Sequence, residues 1–387
     1  MVAKTGNRHK RQDMNIGIIT LPLQENYGGI MQAYALQKVL QDMGHNVSFI
    51  EKSRFLHWSL FKKTRVYTKR FLRKTFIDRD TVVRLDKKNN EEALVLRANI
   101  HPFLTKHIRK VEVNRTYSNI KKGDFDAFIV GSDQVWRPRY FGKPIISRAY
   151  LSFAKGWDVK RLSYAASFGT EEWLYDNRQT KVCGKLLKEF DAVSVREHSA
   201  VKLCKKHFGV KAQHLLDPTM LLCRDDYAKL FEDAATPPSD GTLMRYILDS
   251  TPDKEQAVAR TAQALQLKTF STNAMHDHHN VPLEERIQPP LEKWLRGFHD
   301  AQFVITDSFH ACVFSIIFRK PFIVYGNKSR GMTRFHSLLK IFGLENRLVT
   351  DSAGIDKVIS EPIDWVKVDA IKKEWQEKSI NFLKSNL

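Results

Sequence analysis

Two successive runs of alternating strand and helix signals constrain this chain more than any other feature. The first opens with Asn15-Ile16-Gly17-Ile18-Ile19-Thr20, a short β-rich run. A helical repeat follows from about Gly29 to Met43, with Ile30, Ala33, Tyr34, Leu36 and Leu40 on one periodicity and Gly44 as the stop. Further strand signals lie at Asn46 to Ile50, Asp126 to Val130, Leu162 to Ala166 and Ala192 to Val195, the last leading into a helix near Glu197. The pattern loosens after Leu216-Asp217-Pro218, and Thr236-Pro237-Pro238-Ser239-Asp240-Gly241 is the strongest linker signal. A second run then begins: strand Met244 to Leu248, helix Lys254 to Leu265, strand Leu267 to Ser271 and helix Leu291 to Phe298. It continues with strand Phe303 to Thr306, helix Ser308 to Phe318 and strand Pro321 to Tyr325. Alternation of this kind implies parallel sheets covered by helices, here an α/β chain of two halves facing a cleft.

The 387 residues suit two domains of roughly 150–200 residues each. The expected division is a disordered basic tail over 1–13, an N-terminal lobe over 14–222 with a basic insert at 51–120, and a C-terminal lobe over 240–365. A closing helix is expected over 366–387, from the amphipathic stretch Val368 to Leu383. No apolar run approaches the roughly 20 residues that a membrane span needs. Met1 to Asp13 lacks the apolar core of a signal peptide, so a cytoplasmic location is expected. Cys183, Cys204, Cys223 and Cys312 form no CxxC pair and no metal-like spacing with histidine, and read as small buried thiols. Nothing in the spacing asks for a metal.

Lys and Arg number 63 against 43 Asp and Glu, a formal charge of +20 that favours anionic partners. Phosphate esters, nucleic acid and anionic lipid all qualify. The charge is densest in Arg54–Phe76, where Lys62, Lys63, Arg65, Lys69, Arg70, Arg73 and Lys74 alternate with Phe55, Trp58, Phe61, Tyr67, Phe71 and Phe76. Two readings stand: a solvated helix whose aromatic face joins the core, or a helix lying on an anionic membrane surface.

Open parallel sheets bind ligands at the carboxyl ends of their strands. Four loops there carry chemistry. Asn26-Tyr27-Gly28-Gly29 lets backbone N–H groups approach a ligand at a helix start, or forms a plain turn. Asp133, in Gly131-Ser132-Asp133-Gln134-Val135-Trp136, either meets a sugar hydroxyl or caps the following turn. Arg196 offers paired donors to a carboxylate or phosphate, or else forms a salt bridge with Glu197 or Asp217. In Thr306-Asp307-Ser308-Phe309-His310-Ala311, Ser308 can cap the helix, and His310 falls in its first turn beside a natural anion site. A histidine beside a bound anion suits a general acid. Lys328, Arg330 and Arg334 add positive charge to the same mouth or form a solvated basic face.

These blocks resemble the polysaccharide pyruvyl transferase family. The resemblance rests on Asn26 to Gln37, Gly131 to Trp136, Val195-Arg196-Glu197, Leu216-Asp217-Pro218-Thr219, Thr306 to His310 and Tyr325-Gly326-Asn327-Lys328. Residues 51–120 and 222–300 carry little of it. The resemblance implies two Rossmann-like lobes similar to the GT-B glycosyltransferases, with phosphoenolpyruvate as donor between them and no cofactor required. It implies Arg196, Lys328 and Ser308 as donor-binding residues, His310 as catalytic acid, and Asp133 as a catalytic or acceptor-positioning group. Asn26, Tyr27, Gly28 and Asp133 are implied on the acceptor side.

The expected function is transfer of a pyruvyl group to two hydroxyls of a sugar, forming a pyruvate ketal in surface polysaccharide biosynthesis. The expected acceptor is a lipid-linked oligosaccharide, with the protein peripheral at the inner face of the cell membrane. A glycosyltransferase using a nucleotide sugar is the alternative, with Glu284 or Glu285 as the nearest guess for a ribose-gripping carboxylate. A basic nucleic-acid-binding protein is the other, but the chain has no recognisable motif for it.

Overall fold

A computed structural model describes residues 13–52, 59–114, 116–274, 281–326 and 331–387. The N-terminal tail, Lys328 and Arg330 lie outside the described residues, as does the first part of the Arg54–Phe76 segment.

The first lobe is a parallel sheet of seven strands: β1 Asn15–Ile19, β2 Asn46–Lys52, β3 Lys110–Val113, β4 Ala127–Val130, β5 Lys160–Ala166, β6 Ala192–Val195 and β7 Gln213–His214. Their order across the sheet is β3-β2-β1-β4-β5-β6-β7. The second lobe holds β8 Leu243–Tyr246, β9 Thr269–Ser271, β10 Phe303–Thr306, β11 Phe322–Tyr325 and β12 Leu348–Val349, all parallel, in the order β12-β11-β10-β8-β9. β1, β4, β10 and β11 are almost wholly apolar because helices cover both faces of each sheet. The strand order reverses beside β1 and beside β8, which opens a crevice at the carboxyl ends in each lobe.

Helix α1 (Tyr27–Asp42) joins β1 to β2. Asn26 caps it by accepting a hydrogen bond from Gly29 N at 3.1 Å, and every residue from Tyr27 to Gln37 is buried. A helix apolar all round belongs inside a protein, and α1 lies where the lobes meet. One continuous apolar cluster includes Ile30 and Leu36 of the first lobe with Trp294 and Phe314 of the second. The C-terminal helix Trp365–Asn386 returns to the first lobe: Ser379 Oγ accepts from Leu216 N, and the Phe382 ring packs on Tyr164.

Helices α2 (Leu60–Phe76), α3 (Leu85–Leu96) and the short α4 (His101–His107) lie in the insert between β2 and β3. The expectation that the aromatic face of this segment joins the core is overturned, because α2 buries no residue and Phe61, Phe71 and Phe76 are exposed. Among the described residues it docks along one edge. Lys63, Val66, Tyr67 and Arg70 are partly covered, and Tyr67 and Arg70 bond Asp86 and the Val82 carbonyl. One cysteine also departs from expectation: Cys183, Cys204 and Cys312 are buried, but Cys223 is exposed at the start of a helix whose first turn faces solvent.

Candidate functional site

The strand ends of both lobes face a common cleft of about 310 Å³. Asn26, Asp133 and Gln134 line it from the first lobe, and Ser308, His310 and Arg334 from the second.

His310 sits in the first turn of the helix Phe309–Ile317, whose N-cap is Ser308 with its hydroxyl on Ala311 N. The loop before it is fixed by Asp307, which accepts from Leu248 N and Asp249 N and pairs with Lys254 Nζ at 2.7 Å. Both members of that pair are buried, so Asp307 is committed to holding the loop. The His310 ring lies against Gly28. A Cβ at that glycine would fall 2.1 Å from His310 Nδ1, so only hydrogen leaves room for the imidazole.

Asp217, just after β7, gathers the cluster. Its Oδ2 is 2.7 Å from Arg196 Nη1 and 3.6 Å from His310 Nε2, and it also accepts from Ser132 Oγ. Its Oδ1 accepts from Thr219 N and Oγ1. Burial alone would raise the Asp217 carboxyl, but His310 and Arg196 together hold it well below the usual carboxylate range. Burial likewise works against the Arg196 charge. The adjacent Asp217, Asp133 and Glu197 outweigh it and lift the guanidinium above its ordinary value. Arg196 therefore stays charged inside the protein.

Asp133 lies 3.5 Å from Arg196 Nη2 and adopts φ +71°, a left-handed conformation uncommon outside glycine, asparagine and aspartate. The neighbouring strand explains why this is tolerated. β5 carries an irregularity between Ser163 and Ala166, and Ala166 bridges directly to Asp133. Ser167 N donates to the Asp133 carbonyl, which locks the turn in place. Such strain collects at functional sites.

The structure thus brings Asp133, Arg196, Ser308 and His310 together, but in different layers. Asp133, Ser308 and His310 reach the cleft wall, while Arg196 stands behind it. The salt bridge to Asp217 weighed from the sequence is present, and Arg196 Nε is left without a hydrogen-bond partner among the described residues. Gly28 serves His310 through its missing side chain. Tyr27 is not on the cleft wall: its hydroxyl donates to the Pro289 carbonyl and its ring packs on Trp294, so it ties the lobes together. Glu284 and Glu285 do not line the cleft either.

Arg334 is the described second-lobe cation at this mouth. It is buried, and its guanidinium stands 5.3 Å from the Phe309 ring, on which Arg196 also rests at 4.6 Å. Burial, reinforced by repulsion from Arg196, pushes Arg334 down to about 10. It remains protonated at neutral pH, and an anion entering beside it would relieve that repulsion. Gly331, two residues before the helix Thr333–Phe342 that carries Arg334, comes so close to the first lobe that a Cβ there would fall 2.3 Å from the Gly169 carbonyl. Glu25, Tyr140, Tyr246, Asn273 and Gln288 complete the polar wall. Single polar residues at element ends and in loops carry no period or motif that a sequence displays. Asp217 had a signal in the Leu216–Thr219 block, but its position between Arg196 and His310 depends on three separate strand ends.

Two parallel-sheet lobes around such a cleft define a GT-B-type α/β protein. Within that class the chain belongs to the polysaccharide pyruvyl transferase family, whose model matches residues 26–329. Its structure is similar to that of Arabidopsis thaliana UGT89C1, with TM-score 0.50 and 9% identity over 96% of this chain and 98% of that one. Acinetobacter baumannii MurG matches at TM-score 0.46 and 9% identity, covering 96% and 99%. A glycosyltransferase from Rickettsia africae matches at 0.48 and 11%, covering 96% and 94%. At these identities the UGT89C1 likeness speaks for the fold alone. No curated protein matches the chain in sequence.

Proposed function

We propose that this protein transfers a pyruvyl group from phosphoenolpyruvate to two hydroxyls of one sugar, closing a pyruvate ketal in surface polysaccharide biosynthesis. One observation carries the reading: a buried imidazole, 3.6 Å from the buried Asp217 carboxylate, meets a capped helix start and Arg334 at a single inter-lobe cleft. Phosphoenolpyruvate bears a phosphate and a carboxylate, and this mouth offers free helix N–H groups and Arg334 for them. Lys328 would join them on the donor side. Arg196 acts from behind the wall, helping to hold Asp217 ionised and pairing with Asp133.

In the first step His310, as imidazolium, gives its proton to the methylene carbon, which becomes a methyl group. Positive charge develops at the adjacent carbon, and a sugar hydroxyl adds there as Asp133 takes its proton. A second hydroxyl of the same sugar then attacks that carbon. As it does so the C–O bond to phosphate breaks with the electron pair leaving on oxygen, His310, neutral since the first step, takes the hydroxyl proton, and inorganic phosphate departs. Asp217 supports the imidazolium from 3.6 Å and keeps the ring oriented. Asn26 and Asp133 position the acceptor, which we take to be a lipid-linked oligosaccharide.

Incubation with phosphoenolpyruvate and galactose- or mannose-type acceptors tests this directly. Phosphate release coupled to a gain in sugar mass is expected, and no release with any acceptor overturns the reading. His310→Ala should lower turnover by roughly 10²–10⁴-fold while the fold survives. Near-normal product from that variant removes His310 from the role.

A further inference from the structure

The exposed face of α2 has no counterpart among the other described residues. At about 100° per residue, Leu60, Phe61, Thr64, Thr68, Phe71, Leu72 and Thr75 fall within one arc of roughly 120°. None of them touches the core; Leu60 and Phe61 are 84% and 81% exposed. Phe76 and Ile77, at 77% and 78%, extend the apolar surface past the helix end. The opposite edge, with Lys63, Val66, Tyr67 and Arg70, is the one that docks on the protein, so the bare face points outward. Arg65, Lys69, Lys62 and Arg73 flank the arc on one side and Lys74 on the other, and α2 contains no acidic residue.

A soluble surface has no reason to expose this many large apolar side chains on one short helix. Two partners that would cover a cationic face are weaker fits. Nucleic acid would use the charges but leave Leu60 and Leu72 without a role, and a second copy of α2 would set like charges against each other. An anionic bilayer satisfies both features, taking Phe and Leu below the headgroups and the cations among the phosphates.

The location adds to this. α3 starts at the α2 docking edge and runs to the cleft, where Arg97 pairs with Glu25 and Asn99 bonds the Gln288 carbonyl. Glu25 and Gln288 line the cleft. From Asp86 to Arg97 is about 16 Å of helix, so a membrane under α2 lies close to the mouth.

We infer that α2 is a membrane-surface anchor, lying flat on anionic lipid through its Phe61–Leu72 face and flanking cations. The proposal stands whatever the cleft transfers. The test is co-sedimentation of the full chain with vesicles of phosphatidylcholine mixed with phosphatidylglycerol, against phosphatidylcholine alone. Salt-sensitive binding to the mixed vesicles is expected, with a loss of about tenfold or more in the triple variant Phe61→Ser, Phe71→Ser, Leu72→Ser. Lys69→Gln with Arg73→Gln should weaken it by on the order of fivefold per charge. Thermal melting and cleft activity on a soluble acceptor should match the parent in every variant, because α2 buries nothing. Failure of the parent to bind, equal binding by the serine variant, or preference for RNA or self-association over vesicles overturns the inference.

Discussion

Asp217 Oδ2 stands 2.7 Å from Arg196 Nη1, with both side chains all but sealed from water. A pair this deep stabilises little relative to apolar packing, but losing one partner leaves a stranded charge. Asp217→Ala should therefore cost about 3–5 kcal/mol in urea unfolding. Asp217→Asn keeps the volume and the Thr219 contacts and should cost less. Both should lose turnover, because His310 loses the charge beside Nε2. An unchanged unfolding midpoint in Asp217→Ala would refute the account.

Gly28 and His310 make a second, steric prediction. A methyl group at Gly28 would sit 2.1–2.4 Å from the imidazole atoms, so the ring must swing away. Misplacement by about 1 Å costs on the order of 10²-fold in rate. Gly28→Ala should lose turnover on that scale with its melting temperature near the parent's. Melting and phosphate release, measured on one preparation, separate a moved ring from an unfolded protein.

The same contacts show how much the sequence discloses. β1, β4, β10 and β11 were legible because each is a continuous apolar run, and the helices between them because their period was clear. The strand-end rule then picked out Asp133, Arg196, Ser308 and His310. What it could not supply was depth. Arg196 and His310 both read as anion-facing, yet Arg196 is spent on Asp217 and Asp133, two charges remote in sequence. Asp307, in the same block as His310, holds Lys254, which lies 53 positions earlier. Tyr27 sits in a glycine-rich loop but reaches the other lobe, a contact that local sequence does not encode. The apolar positions of α2 match the pattern of a packed helix, and what distinguishes them is that no element among the described residues covers them.

His214 sets an acid limit on stability. Its Nε2 contacts the Arg196 carbonyl at 2.9 Å, and burial pushes its pKa down to about 4. The unfolded imidazole titrates near 6.5. A folded value below the unfolded one means the stabilisation is complete above about pH 6.5 and is lost as pH falls through about 4. Melting temperature should decline across that interval, and His214→Gln should flatten the decline. An identical pH profile in the variant would exclude His214 as the cause.

Asp133 separates backbone strain from chemistry. Its φ of +71° suits asparagine nearly as well as aspartate but not a β-branched residue. Asp133→Val should thus lose about 1–3 kcal/mol of stability through the turn alone. Asp133→Asn keeps the turn and removes the carboxylate that faces both the cleft and Arg196. Its melting temperature should stay close to the parent's, and turnover should fall by roughly 10²–10⁴-fold if the carboxylate takes the sugar proton. The fall should appear in kcat more than in KM, since Asn can still hydrogen-bond a sugar hydroxyl. Full turnover in Asp133→Asn would confine Asp133 to holding Arg196 and leave the acceptor proton to another group.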